Sequence, residues 1–219
     1  MTNNFTSNQL VIIGTGGFAK EVAQLARQID PEKHRWEKIS YATNDINHIG
    51  AKLPFGTVEM LDSDIIKSQN HLDVAIGIGH PHKRREIAGS IIKNRILHFP
   101  NLIHSSVDID IDLVKLGIGN IITKGVITTC DIQIGDFNVI NLSCTIGHDA
   151  SIGNFNVINP SCSISGNVKI GDCCLLGTGS RILEGLSIDS CITIGAGSVT
   201  TKSLNISGIY IGIPSRLKE

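Results

Sequence analysis

His148 followed directly by Asp149 is the pair in this sequence best suited to moving a proton near neutral pH. An imidazole titrates close to that range, and an adjacent carboxylate orients it and adjusts its basicity, the arrangement of a general base. Past His104, His148 is the only histidine in the sequence. Two further groups stand close by. Cys144 lies four positions before His148 and raises the possibility of a Cys–His nucleophile, and Asn141 lies seven before it. A second cluster sits near the N-terminus, where Gly14-Thr15-Gly16-Gly17-Phe18-Ala19 reads as G-x-G-x-x-A. Its glycines allow a backbone to approach a phosphate, and the helix after it would offer unpaired N–H groups and the positive end of its dipole.

The element that must hold His148 is a repeat. Ile134, Ile140, Ile146, Ile152, Ile158, Ile164, Ile170, Leu176, Ile182, Ile188 and Ile194 recur every six residues without interruption. A period of six fits neither one helix nor a simple strand and indicates a hexapeptide β-helix. Each hexad supplies a short flat strand whose branched Ile points inward. Three hexads close a triangular coil that stacks on the next at about 4.8 Å. The interior columns follow: Ile134 over Ile152, Ile170 and Ile188; Ile140 over Ile158, Leu176 and Ile194; Ile146 over Ile164 and Ile182. The position after each Ile is mostly Gly or Asn, which predicts a corner with positive φ there. His148 takes the third place of its hexad, a corner held elsewhere by Asp136, Asn154, Asp172 and Ser190. Cys144 falls in an inward column of small residues with Cys162 and Ser180, which argues against its acting as a nucleophile. Leu116 and Ile122 keep the register and Thr128 breaks it, so the β-helix is expected to begin irregularly before residue 116. Gly208–Pro214 leaves the period and closes the solenoid.

The glycine loop needs a different element. Leu10–Ile13 is an apolar β-branched run, and Val22, Leu25, Ala26 and Ile29 after the loop have helical spacing up to Pro31. Further along, the pattern predicts a strand at Lys38–Thr43, an irregular crossover at Leu53–Glu59 and a helical piece at Ile65–Ser68. A strand at Leu72–Ile78 is followed by Gly79-His80-Pro81, then a basic helix at His82–Lys93 and a strand at Ile96–Phe99. This makes half of a doubly wound α/β domain over residues 1–100, with the β-helix over 101–219. A dehydrogenase is the first rival reading of the loop. The segment Tyr41-Ala42-Thr43-Asn44-Asp45 lacks a clear acidic partner for a ribose, and the domain has no room for its second half, so a mononucleotide or nucleotide sugar fits better.

Composition sets the outer bounds. The chain has 219 residues, a formal net charge of -1 and 4% aromatics, so nothing favours a nucleic acid or an acidic membrane as partner. Met1–Gln9 is polar and lacks the layout of a signal peptide, and no apolar run spans a bilayer, which indicates a cytoplasmic chain. The six cysteines all lie in the repeat half of the chain, with no C-x-x-C pair. A carbonic anhydrase on this scaffold would need three histidine ligands, which residues beyond 100 do not supply; no metal is expected. A β-helix used only for binding or structure would leave His148 and the glycine loop without a role.

Taken together, Gly14–Val22, Phe99-Pro-Asn-Leu-Ile-His-Ser105, Asn141-x6-His148-Asp149, Ser165–Gly171 and Gly208-x3-Gly212-x-Pro214 resemble the PglD/NeuD-type bacterial sugar acetyltransferases over nearly the whole chain. The resemblance implies a half-Rossmann nucleotide-sugar domain followed by a left-handed parallel β-helix, assembled as a homotrimer with sites between neighbouring β-helices. It implies His148 as base and Asp149 as its orienting acid, with Asn141 lining the sugar pocket. The positions matching Gly166, Thr178, Gly195 and Ala196 would lie along acetyl-CoA. Thr15, Gly16, Gly17 and Phe18, with Thr43, Asn44 and Gly79, would hold the nucleotide sugar. The family often has His where this chain has Phe18, and an Asp pair near Thr43-Asn44. The implied reaction is acetyl transfer from acetyl-CoA to the C4 amine of a nucleotide-linked deoxyamino sugar, UDP-linked by expectation, in bacterial surface-glycan synthesis. O-acetylation of a sialic-acid-type sugar, or transfer to a GDP- or dTDP-amino sugar, are the alternatives.

Overall fold

The computed structural model describes residues 8–218, so most of the polar stretch Met1–Gln9 lies outside the described residues. The chain divides into two compact units: residues up to Gly79 together with Glu86–Leu102, and His80–Arg85 together with Ile103 onward. Among the described residues no helix is long and apolar enough to cross a membrane.

In chain order the N-terminal elements are β1 (Gln9–Ile13), α1 (Gly17–Ile29), β2 (Lys38–Thr43), β3 (Lys52–Leu53), β4 (Gly56–Leu61), α2 (Asp62–Ile66), β5 (Leu72–Ile76), α3 (Pro81–Ile91) and β6 (Leu97–His98). The sheet runs β3-β4-β2-β1-β5-β6 and is parallel apart from the β3–β4 hairpin. Leu10–Ile13 are all buried, as a parallel strand covered on both faces requires. α1 turns Ala19, Val22, Ala23, Leu25 and Ala26 inward, the stripe that its helical spacing predicts. The segment expected as an irregular crossover, Leu53–Glu59, is instead a hairpin strand that joins the sheet. β4 pairs with β2 from Ile39↔Gly56 to Thr43↔Leu61. Two local features make this possible. Phe55 takes a left-handed φ of 66° in the turn, and Gly56 lies so close to β2 that a Cβ would fall 2.3 Å from the Ile39 carbonyl oxygen.

The second unit is a parallel β-helix of three sheets. Their strands are mostly two residues long and pair with the strand 18 positions on. Ile134, Ile152, Ile170 and Ile188 stack in register, as do Ile140, Ile158, Leu176 and Ile194, and Ile146, Ile164 and Ile182. All are buried in one continuous core. Thr128 does not interrupt the register. It pairs with Ile146, is buried, and donates its hydroxyl to the Asp108 carbonyl at 3.0 Å. A threonine occupies an Ile slot there because its oxygen is satisfied within the coil.

The glycines after each Ile have a different reason from the one their sequence position suggests. The left-handed residues are Asp131, Phe137, Ser143, Asp149, Phe155, Ser161, Asn167, Cys173, Gly179, Gly185, Cys191 and Gly197. That column lies three places after the inward residue, not one. Gly135, Gly153 and Gly171 are glycine because a Cβ would meet the carbonyl carbon or oxygen, or the amide nitrogen, of the next coil at about 2.7 Å. The constraint is coil-to-coil distance, not dihedral freedom. Buried asparagines then lock the stack. The side-chain oxygens of Asn120, Asn138 and Asn156 accept the backbone N–H of Asn138, Asn156 and Cys174 at 2.7–2.8 Å, and their amides donate to the Gly135, Gly153 and Gly171 carbonyls.

Gly153→Ala is therefore expected to destabilise the fold by about 1–3 kcal/mol through coil separation. Cys144→Ala, which removes one buried sulfur, should cost on the order of 1 kcal/mol. Denaturant unfolding of each variant against the parent chain tests both.

Candidate functional site

His148 stands at the corner after the strand Thr145–Ile146. Its backbone is held on both sides of the stack. The His148 carbonyl accepts from Asn167 at 2.7 Å, and the Asp149 N–H donates to Cys130 at 3.1 Å. Asp149 is left-handed, φ 59°, and this turns its carboxylate back onto the preceding side chain. His148 Nδ1 and Asp149 Oδ2 are 2.8 Å apart. That bond holds the imidazole pKa above the ordinary histidine value against a small loss of hydration, and the charges of Asp149 and Glu184 act in the same direction. Both side chains are more than half exposed, 54% and 61%. The arrangement leaves Nε2 as the nitrogen available for proton transfer.

The other residues of interest distribute around this corner. Cys144 is fully buried, with its sulfur 3.1 Å from the Asn159 carbonyl oxygen. Its contact with Cys162, together with burial, pushes the thiol far above its usual range, so it is a core filler and no nucleophile. Asn141 opens the same flat face at its other corner; its side-chain oxygen accepts from Leu142 N–H at 2.8 Å and Thr123 hydroxyl at 3.2 Å. Thr178 and Ala196 are exposed and, with Gly195, belong to that Asn141 corner by the 18-residue spacing. Gly166 alone of the four candidate cofactor positions is beside His148, whose ring atoms come within 2.6 Å of where its Cβ would be. Sequence reading missed this contact, although the spacing of 18 between His148 and Gly166 signals it. A cavity of about 630 Å³ on the face carrying Lys169 and Ser187 is lined by none of these residues.

The glycine-loop cluster lies wholly within the first unit, at the carboxyl ends of β1, β2 and β5, where open α/β sheets bind ligands. Gly14 has φ +113°, and a Cβ would collide with Ile78 at 2.8 Å. Gly16, Gly17 and Gly79 have nothing within 4 Å of a built Cβ, so the approach to the loop is open. α1 begins at Gly17 with no side-chain cap and no acidic residue in its first turn, which leaves its N–H groups facing outward for an anion. Thr15 and Phe18 are half-buried. Thr43 is buried, with its hydroxyl accepting from Asp45 N–H at 3.2 Å, and Asn44 is exposed. Asp45, the carboxylate nearest the end of β2, is spent on capping the short helix at Ile46–His48 by accepting from Asn47 N–H at 3.0 Å.

Residues 9–91 match the PglD N-terminal domain, and residues 149–184 match the bacterial transferase hexapeptide, six repeats. No curated protein sequence matches the chain. Among solved structures, the acetyltransferase domain of PglB from Neisseria gonorrhoeae is 23% identical, with a TM-score of 0.87 over 97% of this chain and 100% of that one. PerB from Caulobacter crescentus, solved with CoA and GDP-perosamine, is 26% identical, with a TM-score of 0.83 over 96% and 97%. WeeI from Acinetobacter baumannii is 26% identical, with a TM-score of 0.82 over 95% and 99%. The order of a PglD N-terminal domain ahead of hexapeptide repeats, with similarity along the whole chain to structures such as PerB and WeeI, makes the chain an acyltransferase that is similar to the PglD-type sugar acetyltransferases.

Proposed function

We propose that the protein transfers an acetyl group from acetyl-CoA to the C4 amine of a nucleotide-linked deoxyamino sugar, with His148 as general base. The observation that carries this reading is the 2.8 Å contact between His148 Nδ1 and Asp149, which fixes the ring and leaves Nε2 free to act. As the neutral amine attacks the thioester carbonyl, Nε2 takes the proton that the nitrogen loses. The C–S bond then breaks, and the proton passes to the departing thiolate, giving the amide and free CoA. A backbone N–H in the groove stabilises the oxyanion between these steps.

The homotrimer belongs to this reading because one chain holds the two halves of the site apart. His148, Asp149 and Gly166 stand at one corner of the Thr145 face, and Asn141, Thr178, Gly195 and Ala196 at the other. Closed threefold packing brings one corner of each copy against the opposite corner of its neighbour. The composition of the faces supports this choice. The outward column of the Ser151 face is Lys115, Gln133, Ser151, Lys169 and Ser187. The same column of the Thr145 face is Ile127, Thr145, Ser163, Arg181 and Val199, with one charge in place of two, and Ile127, Leu142 and Leu183 on and beside it are each 45–47% exposed.

In the first unit, Thr15, Gly16, Gly17, Phe18 and Gly79 would take the diphosphate, and Thr43 and Asn44 the base side. A UDP sugar is our expectation; the similarity to PerB, solved with GDP-perosamine, makes a GDP-linked amino sugar the second reading. Both substrates are activated metabolites of the cytoplasm, and all six cysteines are free thiols, in keeping with a reducing compartment.

Three measurements follow. Thermal unfolding with UDP-, GDP- and dTDP-linked amino sugars should single out one nucleotide, since a ligand at a hundred times its Kd stabilises by about 2.7 kcal/mol; replacing Gly16 with Leu should raise KM for that sugar and spare KM for acetyl-CoA. His148→Asn should lower kcat by at least about a hundredfold with small changes in substrate binding, as loss of a general base does; turnover near that of the parent would refute the assignment. The third is a pH profile. His148 must be neutral to act, and its raised pKa means activity is lost as pH falls through that value. Asp149→Asn removes the main cause of the rise, so the acid limb should move to lower pH while kcat declines.

A further inference from the structure

Each corner residue of the β-helix lies against its equivalent 18 positions on, and in one corner column the outcome is a hydrogen bond along the stack. Asp136, Asn154, Asp172 and Ser190 each place a side-chain oxygen on the N–H of the preceding coil, at 2.7–2.9 Å. The corner column that contains His148 runs Cys130, His148, Gly166, Glu184, Lys202 and does something else. At Gly166 an added Cβ would stand 2.6 Å from both Cε1 and Nε2 of His148 and 3.1 Å from Cδ2. The three nearest heavy atoms all belong to the imidazole. Gly166 is also outside the left-handed region, so an alanine there meets no backbone strain. Gly147 and Gly177 differ: their built Cβ atoms fall 2.6 and 2.4 Å from a backbone nitrogen of the next coil. Those two glycines serve the stack, whereas Gly166 serves one side chain.

We propose that Gly166 is a positioning residue for His148: its missing side chain is the space in which the imidazole lies, the face of its Cε1–Nε2 side against the neighbouring coil, while Asp149 holds Nδ1 in the ring plane. A packed face and an in-plane hydrogen bond leave the ring one orientation with Nε2 open, and both contacts are provided by the chain itself before any substrate binds. A base held this way loses little in ordering at the moment of reaction, and a displacement of about 1 Å is enough to slow it about a hundredfold. The catalytic consequence rests on His148 being the base; the seating does not.

The test is Gly166→Ala, read three ways. Titration of the His148 ring by NMR should shift to lower pH, because a ring pushed off its seat gives up the Asp149 bond. Turnover should fall about a hundredfold, with KM for acetyl-CoA little changed. Thermal unfolding completes a double-mutant cycle: the loss caused by Gly166→Ala should disappear in a His148→Ala background, where no ring is present to collide. Equal destabilisation in both backgrounds, or an unmoved titration, overturns the proposal. So does a raised KM for acetyl-CoA at constant kcat, which would make Gly166 a cofactor contact. If turnover proves insensitive to His148 itself, the titration and the cycle still report the seat, so failure of the catalytic reading is distinguishable from failure of this one.

Discussion

Stacking of each residue on the one 18 positions further along is the constraint on which the β-helix depends. Strand spacing of about 4.8 Å forces every column to be compatible with itself. Branched aliphatics fill the interior columns; amide side chains that both accept and donate fill the Asn120–Asn138–Asn156 column. Gly135, Gly153 and Gly171 fill a column in which the next coil's backbone occupies the side-chain volume. Phe137 and Phe155 show how close the repeat brings equivalents, with rings nearly parallel and centroids 5.8 Å apart. In such an object only the columns that face solvent are free to mix residue types, as Lys115, Gln133, Ser151, Lys169 and Ser187 do. Cys130, His148, Gly166, Glu184 and Lys202 form another such column, and the acid–base pair sits in it.

Much of this was legible in the sequence, because a period of six with a branched residue in phase leaves a single architecture. The registers around Ile134, Ile140 and Ile146 follow from arithmetic alone. What did not follow was the meaning of the glycines. Sequence shows a Gly after the Ile, and the familiar reason for Gly at a corner is positive φ. The left-handed residue is two places later and is of mixed type: Asp131, Phe137, Ser143, Cys173. Ordinary side chains are tolerated there because the coil bonds over-determine the backbone, as with Cys173 N–H on the Asn154 carbonyl at 2.9 Å. Thr128 misled for the opposite reason: its polarity reads as a break, whereas a satisfied hydroxyl packs like a methyl.

The first unit was readable where pattern is strong and obscure where it is short. The β1–loop–α1 unit declares itself through apolar runs and glycine. β3 and β4 do not, because Lys52–Leu61 alternates weakly and its strand character comes from pairing with β2, a tertiary effect. At the foot of the sheet a buried carboxylate, Asp73, gathers Trp36 Nε1 at 2.7 Å and His98 Nδ1 at 2.9 Å. These partners are 25 and 37 residues away, beyond the reach of any local pattern. That network ties together the end of the sheet opposite the glycine loop.

The pairing of His148 with its immediate neighbour also depends on the coil. Adjacent residues of an extended chain point their side chains to opposite sides, so a carboxylate at the next position ordinarily cannot reach the imidazole before it. The left-handed turn at Asp149 removes that obstacle, at a conformational cost of about 1–2 kcal/mol for a non-glycine residue, least for Asp and Asn. The repeat imposes that turn at every hexad whatever residue occupies it. An acid placed after a histidine at this one phase of the repeat therefore becomes its hydrogen-bond partner with no further adaptation of the fold. One position earlier the carboxylate would stand at the corner where Asp136 and Asp172 bond the backbone N–H of the preceding coil, and one position later it would enter the core, where Ala150 is buried. Six-residue periodicity thus fixes where such a dyad can arise, and the absence of a side chain at Gly166 fixes which way its ring can lie.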